Sequence, residues 1–424
     1  MELVSSLAPT QRQKPPKIGF GSFIVPARHT RKHFVYGSAR VCVIIPTYAP
    51  GALTRRLVDD LVGWNPDIFV YVVDDSTPRD NVQSAAIFKE IATIPRVVVL
   101  RTPENKLKAG ALNYALRYIY EKCRTYVPDV ILTVDDDVAI DKSTIRNLVV
   151  ELMSHEELGA VCSQCRVFNK NKNLLTRLQG LEYLGFNAIR LADEGLFRGP
   201  LVMHGMLTAF RAGALQEVGG FTEGHLIEDY EVTMRLKTRG WSVKSAQNAP
   251  AWTVVPETLS QFWRQRTRWS YGGITVVAGS THPSSIFQDV LGHSVFLLTV
   301  FMVLLLMFSK GSGAVPPHIT QWIIALSLLQ LGAWFAFQLW LMRLYKERDA
   351  LDWLIRGSLI PEFVYSNVMT LALVGSYFFF IFNVVRNALP RRMGLLLAGL
   401  TRAGAHFFRV CGYAEKRWGT RAIL

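Results

Sequence analysis

The sequence is poor in cysteine and in charge. Its five cysteines, Cys42, Cys123, Cys162, Cys165 and Cys411, are scattered over 424 residues, which excludes a disulfide framework and suits a reducing compartment. Cys162 and Cys165 have the spacing of half a zinc site, but no matching Cys or His pair follows, so a buried apolar role is expected. Charged residues make up only 19% of the chain, which indicates apolar segments beside a soluble body.

Acidic residues are scarce at both ends of the chain. Residues 1–40 carry seven Lys or Arg against one Glu, and residues 386–424 carry eight against one. The two ends therefore supply thirteen of the fourteen net positive charges, and the stretch 41–385 is nearly neutral. This balance argues against a nucleic-acid partner and favours contact of the ends with anionic membrane lipids. No signal peptide is expected, since the N-terminus lacks an apolar core with a cleavage site.

Short β-branched runs alternate with helical patterns between residues 41 and 255. Strands alternating with helices predict an α/β domain with a mostly parallel sheet flanked by helices. The predicted strands are 41–45, 69–73, 97–100 and 130–134, and the predicted helices are 52–63, 81–92, 108–122 and 142–154. Before this domain, residues 1–40 form a basic, proline-containing arm.

Polar segments follow three of the predicted strands. They are Thr47-Tyr48, Asp74-Asp75 and Asp135-Asp136-Asp137. Ligands of parallel sheets gather where the strands end, at their carboxyl edge. Clustered carboxylates repel one another unless a cation or a hydrogen-bonding ligand compensates them, and Mg²⁺ and Mn²⁺ prefer such oxygen ligands. The alternative is a solvated acidic loop.

Three later features carry possible chemistry. Lys108 opens a predicted helix among small residues, where an anion such as phosphate is favoured. Glu228-Asp229 begins another helical run, and either acid could also be only a helix cap. Gln265-Arg266-Thr267-Arg268-Trp269 lies in residues 256–288, which we expect to form an amphipathic region at the membrane surface.

Long uncharged stretches occupy residues 289–390. Each reaches the roughly 20 residues that cross a bilayer, and they predict spans at about 290–309, 319–342 and 361–385. Three spans would place the basic tail, 391–424, across the membrane from residues 41–255. The positive-inside rule would place that tail on the cytoplasmic side, so the number of spans stays open, with 351–361 and 393–400 as further short candidates.

The motifs taken together resemble those of the membrane-bound family-2 glycosyltransferases, which include cellulose, hyaluronan, chitin-oligosaccharide and poly-N-acetylglucosamine synthases. Asp75, the Asp135/Asp137 pair, Asp229 and Gln265-Arg266-Thr267-Arg268-Trp269 are similar to the D, DxD, (T/E)D, Q(Q/R)xRW pattern of that family. Thirty-five residues separate Asp229 from Gln265, as in the family. The resemblance covers residues 41 to about 275 and implies a GT-A fold.

The resemblance also implies a role for each matching residue. Asp229, with Glu228 beside it, would be the catalytic base, and Trp269 would hold the acceptor. Asp137 would bind Mg²⁺ or Mn²⁺ together with Asp135, which faces the donor. The remaining donor-binding residues would be Thr47, Tyr48, Asp74, Asp75, Lys108, Gln265, Arg266 and Arg268.

These roles imply an inverting transfer from a UDP-sugar to an acceptor hydroxyl, with elongation of a β-linked polysaccharide as the expected outcome. One alternative is transfer of one or two sugars to a lipid acceptor. A second alternative is a non-catalytic membrane protein that only binds a nucleotide sugar.

The expected location is the cell membrane, with a cytoplasmic catalytic domain and several spans. Because three spans are few for a translocation channel, a second copy or a partner membrane protein is left open.

Overall fold

A computed structural model describes residues 32–122, 127–194, 196–312, 316–388 and 398–413. The strands are β1 (Val41–Thr47), β2 (Phe69–Asp74), β3 (Val97–Arg101), β4 (Val130–Val134), β5 (Val138–Ile140), β6 (Leu158–Val167), β7 (Leu207–Arg211) and β8 (Ser242–Thr253). The helices up to residue 279 are α1 (Ala52–Trp64), α2 (Val82–Ile91), α3 (Leu107–Lys122), α4 (Thr144–Met153), α5 (Leu174–Ala192), α6 (Ala212–Glu217), α7 (Glu228–Thr238) and α8 (Leu259–Gly279). The later helices are α9 (Pro283–Ser312), α10 (Pro317–Leu341), α11 (Ala350–Ser358), α12 (Ile360–Ala388) and α13 (Ala398–Val410).

The eight strands form one mixed sheet in the order β3-β2-β1-β4-β7-β6-β8-β5. The first four of these are parallel, as the alternating pattern predicts. Strand β7 runs antiparallel to both β4 and β6, and β5 runs antiparallel to β8. The α/β fold class is therefore confirmed, and the later strands, which no sequence pattern assigned, make the sheet mixed.

Both faces of the sheet are buried under helices. In β1, Val41, Val43 and Ile45 pack towards the core that includes α1 and α4, while Cys42 and Ile44 pack towards the core that includes α3 and α7. A strand covered on both faces reads as a continuous apolar run, which is why its sequence shows no polar alternation. Cys162 and Cys165 are likewise buried, one in each core, as expected of small apolar residues.

The carboxyl ends of β1, β2 and β4 meet at one edge of the sheet. Thr47 at the end of β1 lies opposite Asp74 at the end of β2, and the backbone N–H of Asp75 donates to the carbonyl of Thr47 at 2.9 Å. Asp135 directly follows β4. Parallel pairing thus brings together the polar segments that lie far apart in sequence.

Two helices in the described part of the chain are long and apolar enough to cross a membrane, by length and composition. They cover Pro317–Leu344 and Ile360–Ala388, close to two of the predicted spans. The third predicted span, 290–309, lies within α9, where many side chains fall outside the described ones. Residues 1–31, Cys123 and residues 391–397 and 414–424 of the predicted arm and tail also lie outside the described residues.

Helix α11 is fixed to the sheet domain by buried charges. Asp352 is fully buried and accepts hydrogen bonds from Lys170 Nζ and Arg177 Nη1, each at 2.8 Å. Lys170 Nζ also donates to the carbonyl of Glu347 at 2.6 Å. The segment between α10 and α12 therefore docks on α5 and the turn before it.

We expect Asp352→Ala to destabilise the protein by about 3 kcal/mol, the lower end of the range for breaking a buried ion pair. The variant removes the fully buried carboxylate that Lys170 and Arg177 share and leaves them only Asp349, whose side chain is 41% exposed. Thermal unfolding of purified protein in detergent measures this loss. Asp67→Ala is the matched control, since Asp67 is exposed and lies 4.0 Å from Arg96, and such surface pairs contribute about 0–1 kcal/mol. Equal melting temperatures for the two variants would contradict the docking role.

Candidate active site

Two consecutive carboxylates at the end of β2 have different surroundings. Asp74 is buried and forms an ion pair with Arg101 of β3. Asp75 Oδ1 accepts the hydroxyl of Thr102 at 3.0 Å and the backbone N–H of Lys106 at 2.8 Å. Burial raises the pKa of Asp75 above its usual value. Asp74 thus ties two strands together, while Asp75 lies beside the start of α3.

The three acids after β4 divide in the same way. Asp136, the middle one, is buried and accepts the hydroxyl of Thr47, which joins the ends of β4 and β1. Asp135 and Asp137 flank it and are partly exposed. The hydroxyl of Thr253 lies 3.4 Å from Asp137 Oδ1. The middle carboxylate of the turn therefore bonds within the fold, while the outer two remain partly exposed.

The ammonium group of Lys108 links the two halves of the site. Its Nζ lies 2.6 Å from Asp135 Oδ1 and 3.1 Å from Glu228 Oε1, and it donates to the carbonyl of Gly205 at 3.0 Å. Burial opposes the charge, but these carboxylates outweigh burial and raise the pKa of Lys108. Lys108 is therefore a fixed cation between the strand ends and the start of α7.

Asp135 and Glu228 respond differently to this cation. Burial, with a contribution from Asp137, raises the pKa of Asp135 to about 7. Burial also acts against ionisation of Glu228, yet Lys108 and Arg268 hold its pKa below the usual range. Ionisation of Asp135 is therefore the less favoured of the two, and a bound cation would favour it.

Asp229 lies next to this lysine and is held in one orientation. Its Oδ2 accepts the backbone N–H of Gly205 at 2.7 Å, and its Oδ1 accepts the N–H of Tyr230 at 2.8 Å. Burial and the neighbouring charge of Glu228 raise the pKa of Asp229, which makes its carboxylate a stronger base. Since a carboxylate has about four lone-pair sites, Asp229 can still accept a proton from a bound hydroxyl.

Backbone strain accompanies two of these positions. Ser76, after Asp75, has a φ of 58°, and Leu107, before Lys108, has a φ of 61°. Non-glycine residues seldom adopt this left-handed conformation, and where they do they often mark a functional site. The chain therefore turns sharply beside the acid and beside the cation.

Helix α8 covers the start of α7. A side chain at Gly272 would come within 2.9 Å of Ile227 and 3.1 Å of Leu226, so the glycine permits close packing on the segment before Glu228. Arg268 Nη1 donates to the carbonyl of Leu226 at 3.2 Å. The motif helix therefore carries Arg268 to the same site as Lys108 and Asp229.

The other motif residues on α8 point into the protein. Gln265 and Arg266 are buried, and Arg266 forms an ion pair with Glu182 of α5. The guanidinium carbon of Arg266 lies 4.2 Å from the centroid of the Trp269 ring. The structure thus groups Arg266 with Trp269 and does not expose it to the strand ends.

The predicted site residues accordingly fall into three sets. The first set lies around the ammonium group of Lys108 and contains Lys108, Asp135, Glu228 and Asp229, with Arg268 beside them. Those at the adjoining strand ends are Thr47, Asp74, Asp75 and Asp137, followed by the exposed Tyr48. Those in the α8 packing are Gln265, Arg266 and Trp269.

Metal ligands are available on the turn after β4. Among the described residues no group of three or more His, Cys, Asp or Glu side chains comes together as a metal cage. Asp135 and Asp137 supply two carboxylates, a donor type that hard cations such as Mg²⁺ prefer and often complete with substrate phosphates. The residues present therefore fit a cation shared with a diphosphate.

Sequence reasoning missed Gly205 and Glu182. Gly205 binds Lys108 through its carbonyl and Asp229 through its N–H, and Glu182 pairs with Arg266 from 84 residues away. Neither residue carries a local pattern that distinguishes it, because backbone contacts and long-range ion pairs leave no periodic signal.

This fold and site accompany a clear family match. The model of Glycosyl transferase family group 2 matches residues 130–341, half of the chain, from β4 through α10. The chain therefore belongs to this family and is a family-2 glycosyltransferase. The family resemblance carried by the acids and by the motif of α8 is confirmed.

Two curated relatives agree with this assignment. The chain is 29% identical over 242 residues to the Bacillus subtilis (strain 168) protein named "Probable glycosyltransferase YdaM", covering 56% of each protein. It is 30% identical over 208 residues to the poly-beta-1,6-N-acetyl-D-glucosamine synthase of Staphylococcus aureus (strain COL), covering 49% of this chain and 48% of that protein. The chain spans about half the length of the curated relatives it matches.

Among solved structures, the chain is similar to the mannosyltransferase PcManGT from Pyrobaculum calidifontis, in complex with GDP-Man and Mn²⁺. The sequence identity is 20% and the TM-score is 0.49, over 72% of this chain and 86% of that chain.

We expect Gly205→Ala to disrupt the site without unfolding the protein. The new Cβ would lie 2.6 Å from Lys108 Nζ and 3.2 Å from Asp229 Oδ2, so it displaces the ammonium group from between its carboxylates. A displacement of about 1 Å in a catalytic group can reduce turnover on the order of a hundredfold. Glycosyl transfer and the melting temperature are measured together.

Gly213→Ala is the matched control for this variant, because a Cβ at Gly213 meets nothing within 4 Å. Wild-type turnover in Gly205→Ala would show that the position of the Lys108 ammonium group does not matter for transfer.

Proposed function

We propose that this chain transfers a sugar from a UDP-sugar to an acceptor hydroxyl, with inversion at the anomeric carbon, and elongates a β-linked polysaccharide at the cell membrane. One observation carries the proposal: Lys108 Nζ contacts both Asp135 at 2.6 Å and Glu228 at 3.1 Å, with Asp229 held beside it by Gly205. The proposed donor-binding residue Asp135 and the proposed base Asp229 therefore both lie next to the ammonium group of Lys108.

The donor occupies the carboxyl edge of the sheet in this proposal. Asp75, with Asp74 and Thr47 behind it and Tyr48 at the rim, binds the uridine. Lys108 and Arg268 stabilise the charge that develops on the leaving diphosphate, which is the usual role of preorganised cations. Lys108 suits this role because the protein already holds its ammonium group in place.

Asp135 and Asp137 would hold Mg²⁺ or Mn²⁺, which would neutralise diphosphate charge when bound. The fit rests on the oxygen donors of this turn and on the charge of Asp137, which adds to the effect of burial in raising the pKa of Asp135.

The acceptor enters from the side of α8. Asp229 removes the proton of the acceptor hydroxyl as its oxygen attacks the anomeric carbon, and the bond from that carbon to the diphosphate oxygen breaks. Trp269 offers a flat apolar face for an acceptor sugar. The relationship to a poly-N-acetylglucosamine synthase over half the chain favours polysaccharide elongation, and with it UDP-N-acetylglucosamine or UDP-glucose as donor.

The membrane location is supported by the way helices expose their side chains. In the helix at 317–344, only 6% of the most apolar part is buried. A core helix of a soluble protein would be mostly buried. In α11 the charged Asp352 and Arg356 face inwards, while Leu351 and Leu354 are 45% and 65% exposed. This inverted pattern suits a lipid surface, and we place the sheet domain on its cytoplasmic side.

The described end of the chain bears on the number of spans. Trp263 Nε1 of α8 donates to the carbonyl of Cys411 at 2.8 Å, and Tyr413 packs with Tyr271 and Phe379. The residues after α13 therefore contact the helix that covers the active site. This contact supports a position on the side of the sheet domain for residues 411–413, and the positive-inside rule favours the same side for a basic segment.

The test is UDP release from a panel of UDP-sugars, with purified protein in lipid. We expect release with UDP-N-acetylglucosamine or UDP-glucose, its loss with a chelator, and its recovery with Mg²⁺ or Mn²⁺. Radiolabelled product retained as a long polymer supports elongation, and a discrete glycolipid would establish the lipid-acceptor alternative. UDP binding without release from any donor would establish the non-catalytic alternative.

We expect Asp229→Asn to reduce transfer by about 10²–10⁴-fold, the usual contribution of a general base, while UDP binding stays close to wild type. Asp59→Asn is the control, since Asp59 is an exposed partner of Arg55 on α1. Turnover and UDP affinity are measured on both variants. Near-native turnover of Asp229→Asn would remove Asp229 from the role of base.

A further inference from the structure

A buried ion pair lies beneath the motif helix. Arg266 is only 1% exposed, and its Nη2 donates to Glu182 Oε2. The guanidinium carbon lies 4.2 Å from the Trp269 ring centroid and 4.9 Å from that of Phe262. Since a buried charge needs a partner, the carboxylate of Glu182 fixes where this guanidinium rests against the aromatic rings.

Glu182 is itself held by a third helix. The hydroxyl of Tyr365, on α12, donates to Glu182 Oε2 at 2.6 Å, and the rings of Tyr365 and Phe262 lie 5.2 Å apart. The carboxylate therefore joins α5 of the sheet domain, α8 of the motif and α12 of the apolar region at one point.

Trp269 transmits this arrangement to the catalytic segment. Its ring packs both on the sheet core and on the cluster formed by Ile227, Tyr230, Met234 and Val276. Ile227 and Tyr230 directly flank Glu228-Asp229. The ring that the guanidinium contacts therefore also borders the residues on either side of Glu228-Asp229.

Stability alone does not account for the pair. Replacing a buried ion pair by apolar residues of similar size is often neutral or stabilising, and Arg266 Nε and Nη1 have no hydrogen-bond partner among the described residues. Buried polar groups that stay unpaired call for an explanation beyond packing. Accurate placement of Trp269 supplies one.

We propose that Glu182 is a positioning residue for glycosyl transfer: it acts through Arg266 to set the Trp269 ring against the acceptor, and Tyr365 orients its carboxylate. The inference rests on the proposed function, in which Trp269 holds the acceptor. It assigns Arg266 to the support of that acceptor surface, away from the diphosphate.

The test is Glu182→Gln, which keeps the side-chain shape and a hydrogen-bond acceptor but removes the charge. We expect the acceptor KM to rise between about tenfold and a hundredfold, as for a displaced positioning group, while UDP affinity changes less than about twofold. Glu151→Gln is the matched control: Glu151 is 15% exposed and pairs with Lys244 at 2.8 Å on the sheet domain. Its acceptor KM should match wild type.

A second variant pair separates positioning from folding. If Glu182 acts through Arg266, the double variant Glu182→Leu with Arg266→Met has no higher acceptor KM than Arg266→Met alone. Additive effects, or an unchanged acceptor KM in Glu182→Gln, would overturn the inference. A fall in melting temperature alone, without a change in KM, would assign Glu182 to stability and overturn it as well.

Failure of the proposed function shows separately, as wild-type protein that releases no UDP from any donor. In that case acrylamide quenching of Trp269 still tests the positioning. The contribution of Trp269 is obtained in each background as the difference between the protein and the same protein carrying Trp269→Phe. We expect greater quenching of Trp269 in Glu182→Gln than in Glu151→Gln, and equal quenching would refute the role of Glu182.

Discussion

The arrangement of the site depends on the ion pairs formed by the ammonium group of Lys108. Asp135, Glu228 and Asp229 come from separate parts of the chain, and in a partly buried recess they would repel one another. Lys108 lies 2.6 Å from the first and 3.1 Å from the second, so one cation balances acids of the strand edge and of α7. The apolar floor beneath it, which includes Leu112 and Phe221, keeps these interactions strong by limiting water.

Around this cation the protein uses neighbouring acids for different purposes. Asp74 and Asp136 are buried and bound to Arg101 and Thr47, so they hold strands together. Asp135 and Asp137 are partly exposed, and in the proposed function they bind the cation. Consecutive identical side chains thus perform unlike tasks because successive residues of a strand or tight turn point in different directions.

The apolar helix α12 packs against the helix that carries the Gln265–Trp269 motif. Helix α12 meets α8 at both ends of their contact, through Tyr365 near Phe262 and through Asn383, whose side chain donates to the hydroxyl of Tyr271 at 3.1 Å. Helix α8 in turn packs on the segment before Glu228. The surroundings of Glu228 and Asp229 are therefore built jointly by the sheet domain and the apolar helices.

The sequence alone determined the first four strands and their helices, because β-branched runs and helical periodicity are local signals. It also identified the acids, Lys108 and the α8 motif by residue type and spacing. Tertiary structure alone decided the mixed sheet, the inward turn of Arg266 and the contacts of Gly205 and Glu182. The physical reason is that antiparallel pairing, backbone hydrogen bonds and ion pairs across 84 residues depend on which segments meet, and local patterns carry no record of that.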